Sequence, residues 1–319
     1  MGGKGFRRAM TAGLAVLALS GCVTQPKAPD TPPQARPAEL MPAAPEPQQG
    51  PSEASRNLSR YYAAVQADLL AQGLLRTDGG GIDTPYTDTD VMRNFERIAF
   101  YDEYERNAGF RRASDTAVGL RKWDRPVRMS VEFGAGVPQA QRSVDERMVR
   151  DYADRLADIT GHPISMAPRN PNFHVLVMSE GDRDEAIARI RQIVPDINAA
   201  TLTLFRTLPR SIHCLVIAFS GSESDHTYRR AIAFIRSEHP DLMRRSCVHE
   251  ELAQGLGLAN DSPRARPSIF NDDDEFALLT RHDEKLLKLL YDPALTPGMT
   301  PDQARPIVAR LLGQQAGPM

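Results

Sequence analysis

The chain has 319 residues, of which 41% are hydrophobic and 25% are charged, and its formal net charge is −2 at pH 7. This composition is typical of a globular protein and excludes collagen-like, coiled-coil and wholly disordered chains. The small net charge provides no broad basic field, so no nucleic-acid partner is expected. Three cysteines are too few for a disulfide scaffold, and no Cys-x-x-Cys pair indicates a structural zinc site.

The N-terminus has the pattern of a secretory signal. Three basic residues within positions 4–8 precede the apolar run 9–20, which is too short to span a membrane. The run closes on Leu-Ser-Gly-Cys at residues 19–22, which resembles the lipobox of bacterial lipoproteins. The resemblance implies that residues 1–21 are a signal peptide and that Cys22 is lipidated after cleavage.

Lipidation of Cys22 implies that the membrane is a partner, because several acyl chains anchor a protein durably. We therefore expect a lipid-anchored protein of the cell envelope. Val23 stands where an Asp retains some lipoproteins in the inner membrane, so the outer membrane, facing the periplasm, is favoured. The alternative is an ordinary signal peptide followed by a cysteine by chance.

A proline-rich segment and two helical patterns precede the main domain. Residues 22–54 are rich in Pro, Ala and Gln, which predicts an extended tether. Apolar residues at helical spacing predict helices over 55–76 and 88–106. We assign them to a helical lead-in over residues 55–115, which either supports the main domain or covers its cleft. The main domain is predicted over residues 116–312.

The main domain alternates strands and helices and becomes mostly helical toward its C-terminus. This order predicts an α/β (α+β) fold with a mixed sheet. The predicted elements are strands at Val127–Phe133, Phe173–Met178, Cys214–Phe219 and, more weakly, Ala231–Arg236, helices at Ser143–Ile159 and Asp182–Ile193, and helical structure from Ser246 onward.

Two cysteines remain if Cys22 carries lipid. Because the cell envelope is oxidising, we predict that Cys214 and Cys247 form a disulfide. Two buried free thiols are the alternative.

A predicted helix that ends near residue 255 concentrates polar side chains. Glu250 and Gln254 are four residues apart and share a helix face, with Glu251 one step around the helix. Gly257 can adopt a left-handed conformation and turn the chain back toward that face. The polar residues that follow this turn are Asn260 and Asp261.

The spacing of this segment resembles the zinc motif HExxHxxGxxH of the metzincin metallopeptidases. In that alignment Glu251 matches the general base and Gly257 matches the turn glycine. Glu250, Gln254 and Asn260 stand at the three histidine positions, so all three zinc histidines are absent.

Two downstream segments extend the resemblance. The Ser-Ile-Phe of residues 268–270 is similar to the Ser-Ile-Met of the metzincin Met-turn, and the helical pattern ending at Leu290 and Tyr291 is similar to the closing helix. Over residues 127–293 the resemblance implies a metzincin-like mixed sheet with an active-site-type helix. The C-terminal segment also resembles an uncharacterised family of bacterial envelope lipoproteins. No particular activity follows from this second resemblance.

Any divalent metal bound here needs a ligand set unlike that of a zinc peptidase. One carboxylate and two amides offer only oxygen, which suits calcium, magnesium or manganese better than zinc. A shift of one residue instead gives His249, Gln254 and Asp261 as ligands. A histidine from elsewhere, His226 or His282, is the remaining alternative.

The missing histidines favour a non-catalytic or repurposed module that binds a peptide or protein in a cleft. The alternative is an active metal-dependent peptidase or hydrolase in which Glu251 is the general base. In a third interpretation, Glu250 and Glu251 lie on a solvated helix face and have no site role.

Overall fold

A computed structural model describes residues 50–103, 114–222, 224–271 and 273–315. The predicted signal peptide, the lipidation site Cys22 and nearly all of the predicted tether lie outside the described residues.

A five-stranded mixed sheet organises the described chain. Its strands are β1 Val127–Phe133, β2 Ile164–Met166, β3 Phe173–Met178, β4 Cys214–Ser220 and β5 Tyr228–Arg236. The strand order is β2-β1-β3-β5-β4. Four strands run parallel, whereas β4 pairs antiparallel with β5 and ends the sheet. The predicted α/β fold with a mixed sheet is confirmed.

Eight α-helices surround the sheet among the described residues. They are α1 Glu53–Ala71, α2 Asp88–Ala99, α3 Gln139–Thr160, α4 Arg183–Ile193, α5 Ala199–Arg206, α6 Asp241–Gln254, α7 Arg281–Tyr291 and α8 Pro301–Gln315. In this part of the chain, no helix is both long enough and apolar enough to span a bilayer.

The sheet separates two apolar cores. Successive side chains of β3 alternate between them: Val175 and Val177 enter the larger core, and Leu176 and Met178 enter the smaller one. The larger core also contains residues of α2, α3, α6, α7 and α8, whereas the smaller core is closed by α4 and α5. Because β3 is buried on both faces, its residues are apolar except His174, as expected for a parallel central strand.

The predicted boundaries differ from the structure at several elements. The bounds of β1 and β3 are as predicted, because both strands have strong apolar patterns. The first helix ends at Ala71 rather than Arg76, since Gly73 adopts a left-handed φ of 77° just beyond it. The second ends at Ala99, seven residues before the predicted end. β2 and α5 were not predicted, being too short to show a clear period.

One carboxylate ties α4 to the sheet. Glu132 on β1 accepts a hydrogen bond from Arg189 Nη2 on α4 at 3.1 Å and lies 3.0 Å from His174 Nδ1 on β3. Burial alone would raise the pKa of Glu132, but the hydrogen bonds with His174 and Arg189 outweigh it and lower the pKa to about 2. The charged carboxylate therefore links three elements.

We predict that Glu132→Gln destabilises the fold at neutral pH and much less in acid. The pKa of about 2 in the folded protein lies below the ordinary value of 4.5, so the stabilisation is present above pH 4.5 and is lost as the pH falls toward 2. Urea unfolding should give a loss of about 2–3 kcal/mol at pH 7 and a smaller loss at pH 3.

The control for this prediction is Glu146→Gln, because among the described residues Glu146 forms only an exposed ion pair with Arg150 on α3. It should change the free energy of unfolding by less than about 0.5 kcal/mol at either pH. An equal loss at pH 7 and pH 3 for Glu132→Gln would contradict the charged role of this carboxylate.

Candidate functional site

A cavity of about 910 Å³ lies against β4, which is an edge strand of the sheet. All of β4 lines it, together with the C-terminal half of α6 and residues that follow this helix. Of the described residues before α3, only Asp102 and Glu103 line the cavity, so neither α1 nor α2 covers it.

A disulfide fixes α6 against β4. The structure joins Cys214 at the start of β4 to Cys247 in α6, with their Cα atoms 5.8 Å apart, within the range that a disulfide requires. Cys247 lies about one helical turn before Glu250 and Glu251. The disulfide therefore holds this acidic pair beside the edge of the sheet.

Glu250 and Glu251 point into the cavity rather than forming a solvated helix face. One carboxylate oxygen of each lies within 4.8 Å of the other and of Cys214 Sγ. Glu251 is only 4% exposed. Its Oε2 is buried and has no hydrogen-bond partner among the described residues.

The pKa values of both carboxyl groups are raised. Burial is the largest cause for each, and negative neighbours add to it: Glu251 and Asp261 raise the pKa of Glu250, while Glu103 and Asp261 raise that of Glu251. The Val216 backbone N–H opposes the rise at Glu251. A positive charge in the cavity is therefore electrostatically favoured.

The turn after α6 returns Asp261, not Asn260, to the acidic pair. Gly257 has a φ of 131°, and a Cβ there would lie 2.4 Å from the Arg121 carbonyl oxygen, so glycine is required. Gln254 Nε2 donates a hydrogen bond to Asp261 Oδ1 at 3.1 Å. Asn260 instead donates to a backbone carbonyl of α2 at 3.0 Å.

His249 is directed into the core, away from the cavity. Its Nδ1 accepts a hydrogen bond from the Leu279 backbone N–H at 3.1 Å, and its ring stacks on Tyr152 with centroids 3.9 Å apart. Burial lowers the pKa of His249 to about 3, so the imidazole is neutral at physiological pH. The two alternative histidines, His226 and His282, also do not line the cavity.

Sequence analysis missed several residues that line the cavity. Asp274 and His213 come from segments that no motif connects to α6, as do Asp102 and Glu103. Ile269 of the Ser-Ile-Phe segment also lines the cavity. Asp102, Glu103, His213 and Asp274 are brought together only by the tertiary fold, and the sequence contains no spacing signal for these four residues.

The fold and the site define an α/β protein with an acidic cleft beside an edge strand. The chain matches the family described as "Protein of unknown function (DUF2927)" over residues 88–310, more than half of its length, and it belongs to that family. The match contains the whole sheet, α6 and every described acidic residue of the cavity. No curated protein and no solved structure matches the chain.

We predict that the disulfide contributes substantially to stability. The two cysteines are 33 residues apart, and a loop of this length corresponds to about 3–4 kcal/mol in the chain-entropy model. The variant Cys214→Ser/Cys247→Ser should therefore unfold at a clearly lower temperature in a non-reducing thermal melt.

The matched control is Cys22→Ser, which removes the cysteine outside the described residues and should leave the melting temperature of the domain unchanged. If the double variant has the same melting temperature as the wild type, the disulfide does not hold α6 against β4.

Proposed function

We propose that this protein is a peptide- or protein-binding module of the bacterial cell envelope. In this proposal an extended peptide lies in the cavity along β4. The observation that carries the proposal is the outer edge of β4, with which no described strand pairs and which the cavity follows along its full length.

The backbone of β4 is suited to pairing with an added strand. The Val216 N–H donates a hydrogen bond to the Glu251 carboxyl group of α6, so this N–H faces away from β5. Backbone groups alternate between the two edges of a strand, so the Ala218 N–H is directed to the same outer edge. An extended peptide binds such an edge through main-chain hydrogen bonds.

The size and the lining of the cavity also support a peptide ligand. A volume of about 910 Å³ lies near the upper end of the range for ligand sites. Ile217 and Phe219 of β4, with Ile197 and Ile212 nearby, provide apolar contacts for side chains. The carboxylates of α6 provide the polar end of the same cavity.

We also propose that the domain is metzincin-like but does not bind the zinc of that family. The turn at Gly257 and the position of Ile269 at the cavity support the likeness. The donor set does not fit zinc, because no histidine stands on the cavity face of α6 and Asn260 is directed to α2. No zinc-dependent step follows from these residues.

The proposed location follows from the N-terminal sequence. Lipid on Cys22 would anchor the module in the outer membrane, and the proline-rich residues 22–54 would hold the domain away from the bilayer. A partner in the periplasm is consistent with a cavity in an oxidised, disulfide-containing domain.

The peptide proposal predicts that Ala218→Pro weakens binding about fivefold to tenfold. Proline removes one main-chain donor from the outer edge while leaving the pairing of β4 with β5 intact. Peptides selected from a random library on the full-length chain should be titrated by fluorescence anisotropy, with folding checked by circular dichroism.

The matched control is Ala218→Ser, which keeps the backbone N–H and should bind within about twofold of the wild type. Equal affinity of Ala218→Pro and wild type would rule out binding by strand addition. If the wild-type protein selects no peptide from the library, the proposal of a peptide-binding module is wrong.

A metal-dependent hydrolase is the second candidate function. The observation in its favour is Glu251, whose buried Oε2 has no described partner and whose raised pKa suits a general base. In this role the carboxylate would take a proton from an attacking water molecule.

If the protein is a hydrolase, Glu251→Gln should lower kcat by at least about 100-fold and leave KM nearly unchanged. The measurement is cleavage of a fluorogenic peptide library in the presence of Ca²⁺ or Mn²⁺. Glu146→Gln should keep full turnover. Residual activity of the Glu251→Gln protein at the wild-type level would exclude this residue as the base.

A further inference from the structure

The acidic end of the cavity has the dimensions of a cation site. One carboxylate oxygen of Glu250 and one of Glu251 lie within 4.8 Å of each other. Calcium binds oxygen at 2.3–2.6 Å, so opposite ligands of one ion are roughly 5 Å apart. Cys214 Sγ lies at the same place but belongs to a disulfide and offers no thiolate.

Glu251 provides an independent sign of a missing ligand. Its side chain is 96% buried, lines the cavity, and leaves Oε2 without a described hydrogen-bond partner. An unsatisfied buried oxygen is unfavourable, and more so when it is charged. The described charged groups that act on Glu250 are all acidic, so they increase this cost instead of relieving it.

Asp261 adds a third carboxylate, which Gln254 helps to position. The Gln254 amide nitrogen donates to Asp261 Oδ1 at 3.1 Å, and Asp261 acts electrostatically on both Glu250 and Glu251. Gln254 stands one helical turn after Glu250 on the same face of α6. The helix and the Gly257 turn therefore place the Asp261 carboxylate at the same end of the cavity as Glu250 and Glu251.

We infer that Glu250, Glu251 and Asp261 bind one hard divalent cation, Ca²⁺ or Mn²⁺, with Gln254 as a positioning residue. Three carboxylates match a doubly charged ion, and an all-oxygen set is the kind that calcium and manganese prefer. The site requires neither peptide binding nor catalysis.

The test is isothermal titration calorimetry of the full-length chain, freed of metal with EDTA and dialysed, with CaCl₂ and then MnCl₂. We expect one ion per chain for at least one of the two metals. Glu250→Gln and Glu251→Gln should each weaken binding at least about tenfold, because each removes one ligand charge. The exposed control Glu146→Gln should bind within about twofold of the wild type.

Asp261→Asn provides a third variant, and melting temperatures show whether each variant is folded. The ion should raise the melting temperature of the wild type more than that of the three site variants. Ala218→Pro should bind the ion like the wild type, which separates this inference from the peptide proposal.

Three results would overturn the inference. One is the binding of neither ion by folded wild-type protein. Another is ion binding of unchanged affinity in both the Glu250→Gln and the Glu251→Gln variants. The third is binding of an oligolysine peptide that depends on Glu250 and Glu251 while neither ion binds, because the acidic end would then be a site for basic side chains.

Discussion

Two adjacent carboxyl groups beside an edge strand, the buried Glu251 and the half-buried Glu250, are the constraint around which the site is built. Buried charge is unfavourable unless it is paired, so Glu250 and Glu251 would tend to move toward solvent. The structure prevents this by holding α6 at several points. The disulfide at Cys247 attaches it to β4, and the buried ion pair of Arg244 with Asp145, 2.7 Å long, attaches its first turns to α3.

The sheet topology creates the cleft in which these groups lie. β1, β3 and β5 are parallel, and β3 and β5 contribute side chains to both apolar cores, whereas β4 runs antiparallel and forms an edge. The packing of α6 on β4 and β5 places its last turn at that edge. A helix that carries polar groups and a strand whose outer edge pairs with no described strand thus meet in one cavity, which is suited to binding.

Much of this architecture follows from local patterns. β1 and β3 are readable from their apolar residues, and the spacing of Glu250, Gln254 and Gly257 predicts a shared face followed by a turn. The directions of the neighbouring side chains, Asn260 and His249, cannot be predicted from the local sequence, because they depend on distant partners. Asn260 turns toward a carbonyl of α2, and His249 is held in the core by the Leu279 N–H. The convergence of Asp102, Glu103 and Asp274 on the cavity is likewise a tertiary effect.

In the inferred cation site, the bound ion relieves the repulsion between carboxylates that the fold holds together. The most direct test is an anomalous difference map from a crystal of the full-length chain grown or soaked with Mn²⁺. The cation site predicts one peak at bonding distance from oxygens of Glu250, Glu251 and Asp261. A well-ordered cavity without a manganese peak, with the two glutamate side chains in contact, would contradict it.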